Sequence, residues 1–229
     1  MAVTRVVSLG DAETLARLLS ANRDYLAPWS PLQDDAYYTS DGQRQVLSRQ
    51  LAAYDRGGML PLVIIDSDGA VAGSINLNSI IRGAFQSASV GYWVSESRAG
   101  RGLASAAVAD VTELAFGELG LHRLDAATLL HNTPSQRVLL RNGFRPFAVA
   151  ESYIKIAGRW QDHILFQLLF PGGTTPGTPR GAPDGSAILS GARFPGGDLG
   201  MTPPPPARED RGKGEGGDGP PVRGPARAG

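Results

Sequence analysis

The sequence contains no cysteine and very little lysine, which occurs only at Lys155 and Lys213. The absence of cysteine excludes disulfide bonds, a thiolate nucleophile and thiolate metal sites. The 22 basic residues, nearly all arginine, are balanced by 22 acidic ones, so the formal net charge is zero. The chain therefore lacks the positive excess typical of a protein that binds nucleic acid directly.

Long apolar runs are also absent. No uninterrupted apolar stretch reaches the ~20 residues that a membrane-spanning helix needs. The N-terminus, MAVTRVVSLGDAETL, lacks the long apolar core of a signal peptide. We therefore expect no membrane partner and a cytoplasmic location.

The composition changes sharply near residue 170. From Pro171 onward the chain is rich in glycine and proline, contains the run PPPP at 203–206 and has almost no apolar pattern. Such a segment cannot bury enough apolar surface to offset the entropy lost on ordering. The sequence thus predicts one folded domain at 1–170 and a disordered Gly/Pro-rich tail at 171–229.

The most informative stretch is VGYWVSESRAGRGLASAAVADVTELAFGEL, residues 90–119. A β-like run at 90–94 leads into a loop with Gly100 and Gly102, and a helical apolar pattern begins at Leu103. Small side chains in the first helical turn leave the backbone N–H groups accessible, and their partial positive charge favours phosphate. This loop and helix start are therefore predicted to bind a diphosphate.

Two other interpretations of this loop remain open at this point. Gly-x-Gly before a helix is common as a plain tight turn. Gly100, Gly102 and Ser105 also nearly match the dinucleotide fingerprint G-x-G-x-x-G, with Asp125 at about the expected spacing of ~20 residues. That fingerprint, however, requires glycines directly after the strand, whereas residues 95–99 intervene here.

The first 170 residues alternate between strand-like and helical patterns. Asp-Gly at 68–69 is a strong hairpin signal, and Pro134 and Gly143 delimit a helix. The predicted strands lie at 4–9, 60–65, 70–80, 87–94, 123–130, 144–156 and 160–170. The predicted helices run from 11 to 22, from about 40 to the glycine pair at 57–58, from 103 and from about 132. The strands on either side of the long helix form a βαβ crossover and are predicted to be parallel.

A second motif, HNTPSQRVLLRNGF at 131–144, follows one strand after the glycine loop. With Ala99-Gly100-Arg101-Gly102-Leu103-Ala104 it resembles the signature of the GNAT superfamily of N-acetyltransferases, Q/R-x-x-G-x-G/A and N-x2-S-x7-G-F. Ala99 departs from the Gln or Arg of the first part. The second part is matched by Asn132, Ser135, Gly143 and Phe144. Residues 25–32, GYW at 91–93 and GRWQDH at 158–163 resemble the RimJ and RimL type, the ribosomal-protein N-terminal acetyltransferases.

This resemblance implies an α/β (α+β) fold, the GNAT fold, with a mixed, mostly antiparallel central sheet flanked by helices. Two splayed parallel strands of that sheet form the acetyl-CoA cleft. The resemblance also implies acetyl-CoA as co-substrate, no metal, and direct attack of an amine on the thioester. The expected cofactor-binding residues are Trp93, Val94, Gly100, Arg101, Gly102, Leu103, Ala104, Asn132 and Arg137.

The catalytic residues are implied less directly. Ser135 is expected to donate to or protonate the leaving thiolate, and Asn132 to offer a donor and an acceptor at the mouth of the cleft. For both, a purely structural role at the start of the helix stays open. An acid often stands two places before the glycine of GYW in this subgroup, but Ser89 occupies that place here. Glu96 is the candidate base, with Glu151, Asp162 and His163 as alternatives.

Trp29, Tyr92 and Asp162 are expected to contact the acceptor. The resemblance implies a protein N-terminal α-amine of the ribosomal-protein type as acceptor, and a small-molecule amine such as a polyamine or an antibiotic is the alternative. A non-catalytic acyl-CoA-binding module is a further alternative. Both a monomer and a homodimer are compatible with the sequence.

Overall fold

A computed structural model of the chain describes residues 3–170. The predicted C-terminal tail, 171–229, lies outside the described residues. The strands are β1 (Thr4–Val6), β2 (Leu60–Ile65), β3 (Val71–Ile81), β4 (Ser87–Val94), β5 (Arg123–Leu129), β6 (Arg145–Ile156) and β7 (Arg159–Leu169). The helices are α1 (Ala12–Ala21), α2 (Arg23–Leu26), α3 (Ser40–Asp55), α4 (Leu103–Phe116) and α5 (Thr133–Arg141). Short 3-10 turns lie at Leu9–Asp11, Ala27–Trp29, Asp35–Tyr38 and Glu96–Arg98.

These strands form one seven-stranded sheet in the order β1-β2-β3-β4-β5-β7-β6. Strands β4 and β5 are parallel, and the other neighbouring pairs are antiparallel. The predicted mixed, mostly antiparallel sheet with a parallel pair around the long helix is therefore confirmed. Strand β7 inserts between β5 and β6, and its central residues are more buried than those of β6, as suits an interior strand.

Helices cover both faces of the sheet. The larger core packs α4 and α5 against one face and includes Val108, Leu139 and Phe166. The smaller core packs α1 and α3 against the other face, where Leu47 meets Val63. Because both faces of β2 are covered, its sequence LPLVII is a continuous apolar run rather than an alternating one. Within residues 3–170, no helix is both long enough and apolar enough to pass through a membrane.

The long helix α4 buries a face of small apolar side chains. Ala107, Val108, Val111 and Ala115 are fully buried against the sheet. Asp110 lies beside this face, and its Oδ2 accepts hydrogen bonds from the backbone N–H of Val3 and from the Thr4 hydroxyl. Helix α4 is thus held to the edge strand β1 as well as to the centre of the sheet.

Strands β4 and β5 are paired over only three positions, Ser87 with Arg123, Ala88 with Leu124 and Ser89 with Asp125. Past these positions β4 remains bonded to β3 on its other side, and β5 remains bonded to β7. The inner edges of residues 90–94 and 126–129 therefore carry backbone groups without a strand partner. We call this V-shaped gap the cleft; it corresponds to the predicted divergence of the two parallel strands.

Candidate active site

The loop between β4 and α4 forms one end of the cleft. Gly100 and Gly102 adopt left-handed backbone conformations, with φ of 75° and 84°, which residues other than glycine rarely adopt. A Cβ atom on either glycine would meet no atom within 4 Å. Glycine is therefore required here by the course of the backbone, and the space beside the loop is open to a ligand.

Helix α4 begins beside this open space. No side chain caps its first turn, which also contains no acidic residue. The backbone N–H groups of this turn, at Leu103 and Ala104, lack intrahelical partners by the geometry of a helix N-terminus. Their partial positive charge favours an anionic group such as a diphosphate.

Two arginines of the loop have different surroundings. The Arg98 guanidinium donates to the carboxylates of Asp66 and Asp68 in the β2–β3 turn, the latter at 2.7 Å. These hydrogen bonds from Arg98 hold the pKa of Asp66 and of Asp68 below the ordinary carboxyl value. Arg101 is 3.8 Å from Asp66 and 60% exposed, so it is the cation of the loop that is accessible to a ligand.

A buried polar contact fixes the point at which the chain leaves β4. Asn22, just after α1, accepts a hydrogen bond from the backbone N–H of Glu96 at 2.8 Å. Its Nδ2 donates to the Ser95 hydroxyl at 3.0 Å and to the Leu18 carbonyl at 2.7 Å. No sequence pattern indicates this contact, because Asn22 and Ser95 are 73 residues apart in the chain.

The opposite wall of the cleft contains the second motif. The Asn132 side chain accepts a hydrogen bond from the backbone N–H of Ser135 at 3.2 Å and so caps α5. The Ser135 hydroxyl lies 2.8 Å from the Tyr92 hydroxyl, which also donates to the Ser135 carbonyl at 3.2 Å. Tyr92 on β4 therefore connects the two walls of the cleft.

Tyr92 is chemically distinct from an exposed tyrosine. Burial raises the pKa of Tyr92 to about 12, although the hydrogen bond with Ser135 opposes this shift. A phenol with this pKa stays protonated throughout the neutral range and remains a hydrogen-bond donor. The cleft thus holds two adjacent hydroxyl groups, one of which does not ionise at neutral pH.

A buried hydroxyl also lies on the splayed part of β5. The Oγ1 atom of Thr128 has no hydrogen-bond partner among the described residues. Thr128 follows Asp125, the last residue of β5 that pairs with β4. Residues two apart on a strand share a face, so the Thr128 side chain lies on the same face as Ala126, under α4 and α5. An unpaired buried hydroxyl at such a place fits a site that a polar ligand completes.

The segment 27–38, which we call the aromatic segment, forms the rim of the site. Trp29 packs against His131, beside Asn132, with 5.4 Å between ring centroids. The Ser30 carbonyl accepts a hydrogen bond from the backbone N–H of Ala157 at 3.0 Å. The segment therefore extends from the start of α5 to the β6–β7 turn. It covers a cavity of about 230 Å³ that Trp93, Leu26, Tyr37 and Tyr38 help to line.

None of the remaining candidates forms a hydrogen bond with Ser135 or Tyr92 among the described residues. Glu96 is exposed at the start of the 3-10 turn beyond β4, and Asp162 accepts a hydrogen bond from the backbone N–H of Ser152 at 2.8 Å. His163 is buried with its Nδ1 2.9 Å from the Gln161 carbonyl, which fits a structural histidine. Glu151 and Arg137 are exposed. The roles of these residues stay predictions.

Comparisons with known proteins agree on one family. The family profile described as an acetyltransferase (GNAT) domain matches residues 3–145. The probable N-acetyltransferase YjcK of Bacillus subtilis is 36% identical over 168 residues, 73% of this chain and 93% of that protein. The ribosomal protein uS5-alanine N-acetyltransferase of Escherichia coli is 30% identical over 176 residues, 76% of this chain and 90% of that protein. The solved structure of Mycobacterium smegmatis RimJ in complex with CoA-disulfide has a TM-score of 0.71 at 30% identity, covering 82% of this chain and 88% of that one.

Proposed function

This chain belongs to the GNAT acetyltransferase family and is an N-acetyltransferase, and on that premise we propose that it acetylates protein N-terminal α-amines with acetyl-CoA. The protein substrate is supported by the relative from Escherichia coli, which is named for an alanine of ribosomal protein uS5. The cofactor is supported by the Mycobacterium smegmatis structure, which is a complex with CoA-disulfide.

The observation that carries the proposal is the splayed β4–β5 pair. Its two free strand edges offer backbone donors and acceptors to an extended chain that contains amides, as the pantetheine arm does. The uncapped N-terminus of α4 and the open space beside Gly100 and Gly102 suit a diphosphate at one end of that chain. The unpaired Thr128 hydroxyl is a further polar group in the same wall.

Acetyl-CoA supplies an acetyl group activated as a thioester. The backbone N–H groups of Tyr92 and Val94 face the cleft, because Ser95 donates to Ala72 of β3 and successive N–H groups of a strand alternate between its edges. They are the proposed donors to the acyl oxygen as negative charge develops there. The Ser135 hydroxyl is the proposed donor to the sulfur that leaves. Tyr92, which stays protonated, orients Ser135 through the 2.8 Å contact between their hydroxyl groups. Arg101 and Arg137 are the proposed partners of the phosphate groups.

The test is an acetylation assay with the full chain, acetyl-CoA and a panel of peptides that differ in their first residue. We expect CoA release together with acetylation of the α-amine, located by mass spectrometry, and no reaction with peptides whose N-terminus is already acetylated. Binding of CoA by calorimetry without CoA release on any amine would instead identify a non-catalytic module and contradict the proposal.

A small-molecule amine is the second candidate acceptor. The observation that favours it is the cavity of about 230 Å³ beneath the aromatic segment, which is nearer in size to a small ligand than to a peptide. Polyamines and amine-bearing antibiotics assayed beside the peptides distinguish the two acceptor classes. Faster turnover of a small amine than of every peptide would favour this second function.

A further inference from the structure

A larger cavity, of about 450 Å³, lies at the base of the cleft, where β4 and β5 are still paired. Ser89 and Asp125, which help to line it, alternate along their strands with Ala88 and Leu124, which are buried under α4. Successive side chains of a strand point to opposite faces of the sheet. The cavity therefore opens on the face away from α4.

Within residues 3–170, Asp125 is the one carboxylate that lines this cavity. It is the register partner of Ser89 at the last paired position before the strands diverge. Ser89 carries a hydroxyl, so Asp125 supplies the carboxylate at this register position of the paired strands. Paired strands are about 4.8 Å apart, so the two side chains are direct neighbours.

One oxygen of the Asp125 carboxylate is available to a ligand. Its Oδ1 accepts a hydrogen bond from Arg123 Nε at 2.8 Å and forms a salt bridge with a terminal guanidinium nitrogen of Arg123 at 2.6 Å. Its Oδ2 has no hydrogen-bond partner among the described residues, and the side chain is 32% exposed. A carboxylate oxygen with these surroundings can accept a hydrogen bond from an ammonium group.

The rest of the cavity lining is mixed, since Arg123 and three serines lie beside apolar and aromatic side chains. Ile81, Phe85, Phe147 and Tyr153 line it and are partly exposed to solvent. The Arg123 guanidinium lies 5.1 Å from the centroid of the Phe147 ring, which helps to fix the Arg123–Asp125 pair. The cavity thus combines the Arg123–Asp125 pair with apolar and hydroxyl-bearing side chains, which suits an amine that carries an uncharged side chain.

We propose that Asp125 binds the acceptor α-amine and takes its proton, and that the adjoining cavity holds an uncharged first side chain of the acceptor. This proposal rests on the proposed function. The ammonium group gives one proton to Asp125 Oδ2, and the nitrogen lone pair then forms the C–N bond as the C–S bond breaks. The sulfur leaves with the bonding electrons and receives the second proton of the nitrogen through Ser135. Asp125 returns its proton to solvent through the open cavity.

The test compares Asp125→Asn with a matched control, Asp55→Asn, at the exposed end of α3. Asparagine can still accept hydrogen bonds from Arg123, so the fold is retained. We expect Asp125→Asn to lower kcat/KM for a peptide about 10²- to 10⁴-fold at neutral pH. The deficit should shrink as the pH rises past about 8, because the peptide α-amine then loses its proton to solvent. The double variant Ser89→Glu with Asp125→Asn should recover part of the loss.

A binding measurement separates this proposal from the proposed function. With CoA present, the wild type is expected to bind a free-amine peptide at least about tenfold more tightly than its N-acetylated form, a difference of about 1.4 kcal/mol. Asp125→Asn should abolish this preference. If the wild type shows the preference but transfers no acetyl group, the proposed function fails and the amine site stands. Unchanged kcat/KM in Asp125→Asn, or no preference in the wild type, would overturn the role of Asp125.

Discussion

The buried contact between Asn22 and the end of β4 gives the most quantitative prediction. Replacing Asn22 with alanine removes the acceptor of the Glu96 N–H group and one partner of the Ser95 hydroxyl. Asn22 is 4% exposed and Ser95 is 2% exposed, so water has little access to replace these hydrogen bonds. Both groups are therefore left unpaired or weakly paired in the folded protein.

The expected cost follows from these two groups. A buried polar group that loses its partner costs about 1–3 kcal/mol. The Ser95 hydroxyl keeps a second contact, with the Ser97 hydroxyl at 3.2 Å, so the larger part of the loss comes from the Glu96 N–H group. We expect Asn22→Ala to lower the free energy of unfolding by about 2–4 kcal/mol. For a domain of this size, this loss corresponds to a decrease in Tm of roughly 4–16 °C.

Thermal unfolding followed by circular dichroism measures this decrease in Tm. Calorimetry measures the affinity for CoA. We expect this affinity to weaken, because the loop after β4 is no longer held at Glu96. Ser20→Ala, at an exposed position near the end of α1, is the control. In a double-mutant cycle, Ser95→Ala combined with Asn22→Ala should cost less than the sum of the single changes. A loss of 1 kcal/mol in unfolding free energy lowers Tm by ~2 °C in a domain of this size. A Tm of the Asn22→Ala variant within about 1 °C of the wild type would therefore refute the reasoning.

Three further predictions concern the loop and the hydroxyl pair. Gly102→Trp should abolish CoA binding in calorimetry, because the ring would fill the open space and tryptophan is strained at a φ of 84°; unchanged affinity would contradict the predicted diphosphate site. Ser135→Ala should lower kcat about 10²-fold while the affinity for CoA changes little, and an unaltered kcat would remove the serine from the mechanism. Asp66 has a lowered pKa in the folded state through Arg98, so its stabilising effect is complete above about pH 4 and is lost as the pH falls through that lower pKa. Asp66→Asn should therefore flatten the dependence of Tm on pH below about pH 4, and an identical slope in both proteins would exclude this role.

Local patterns in the sequence were sufficient to predict most of the fold. The Asp-Gly turn, Pro134 and Gly143 mark ends of elements through backbone conformations that few residues adopt, so their signals depend on neighbouring residues alone. The parallel pairing of β4 with β5 also follows from local information, since a helix lies between two strands. The glycine loop and the second motif lie on either side of the cleft because each directly follows one strand of that parallel pair.

The features that sequence reasoning missed depend on contacts between distant residues. The insertion of β7 beside β5 and the bond between Asn22 and Ser95 have no local pattern. In the sequence, Asp125 is notable only as part of a possible dinucleotide fingerprint. Its position beside Ser89 depends on the register of two strands that are separated by a helix. A shift of one residue in that register would turn the carboxylate to the other face.

The position of β7 also determines when the cleft can exist. Among the described strands, β7 is the one that pairs with the wall formed by residues 126–129, and β7 ends at Leu169, at the C-terminal limit of the described residues. A ribosome-bound chain that has emerged only as far as α5 contains both sequence motifs but lacks the strand that supports this wall. Because domains fold as units during synthesis, such a nascent chain has no cofactor site. The enzyme therefore becomes competent only after β7 has been made.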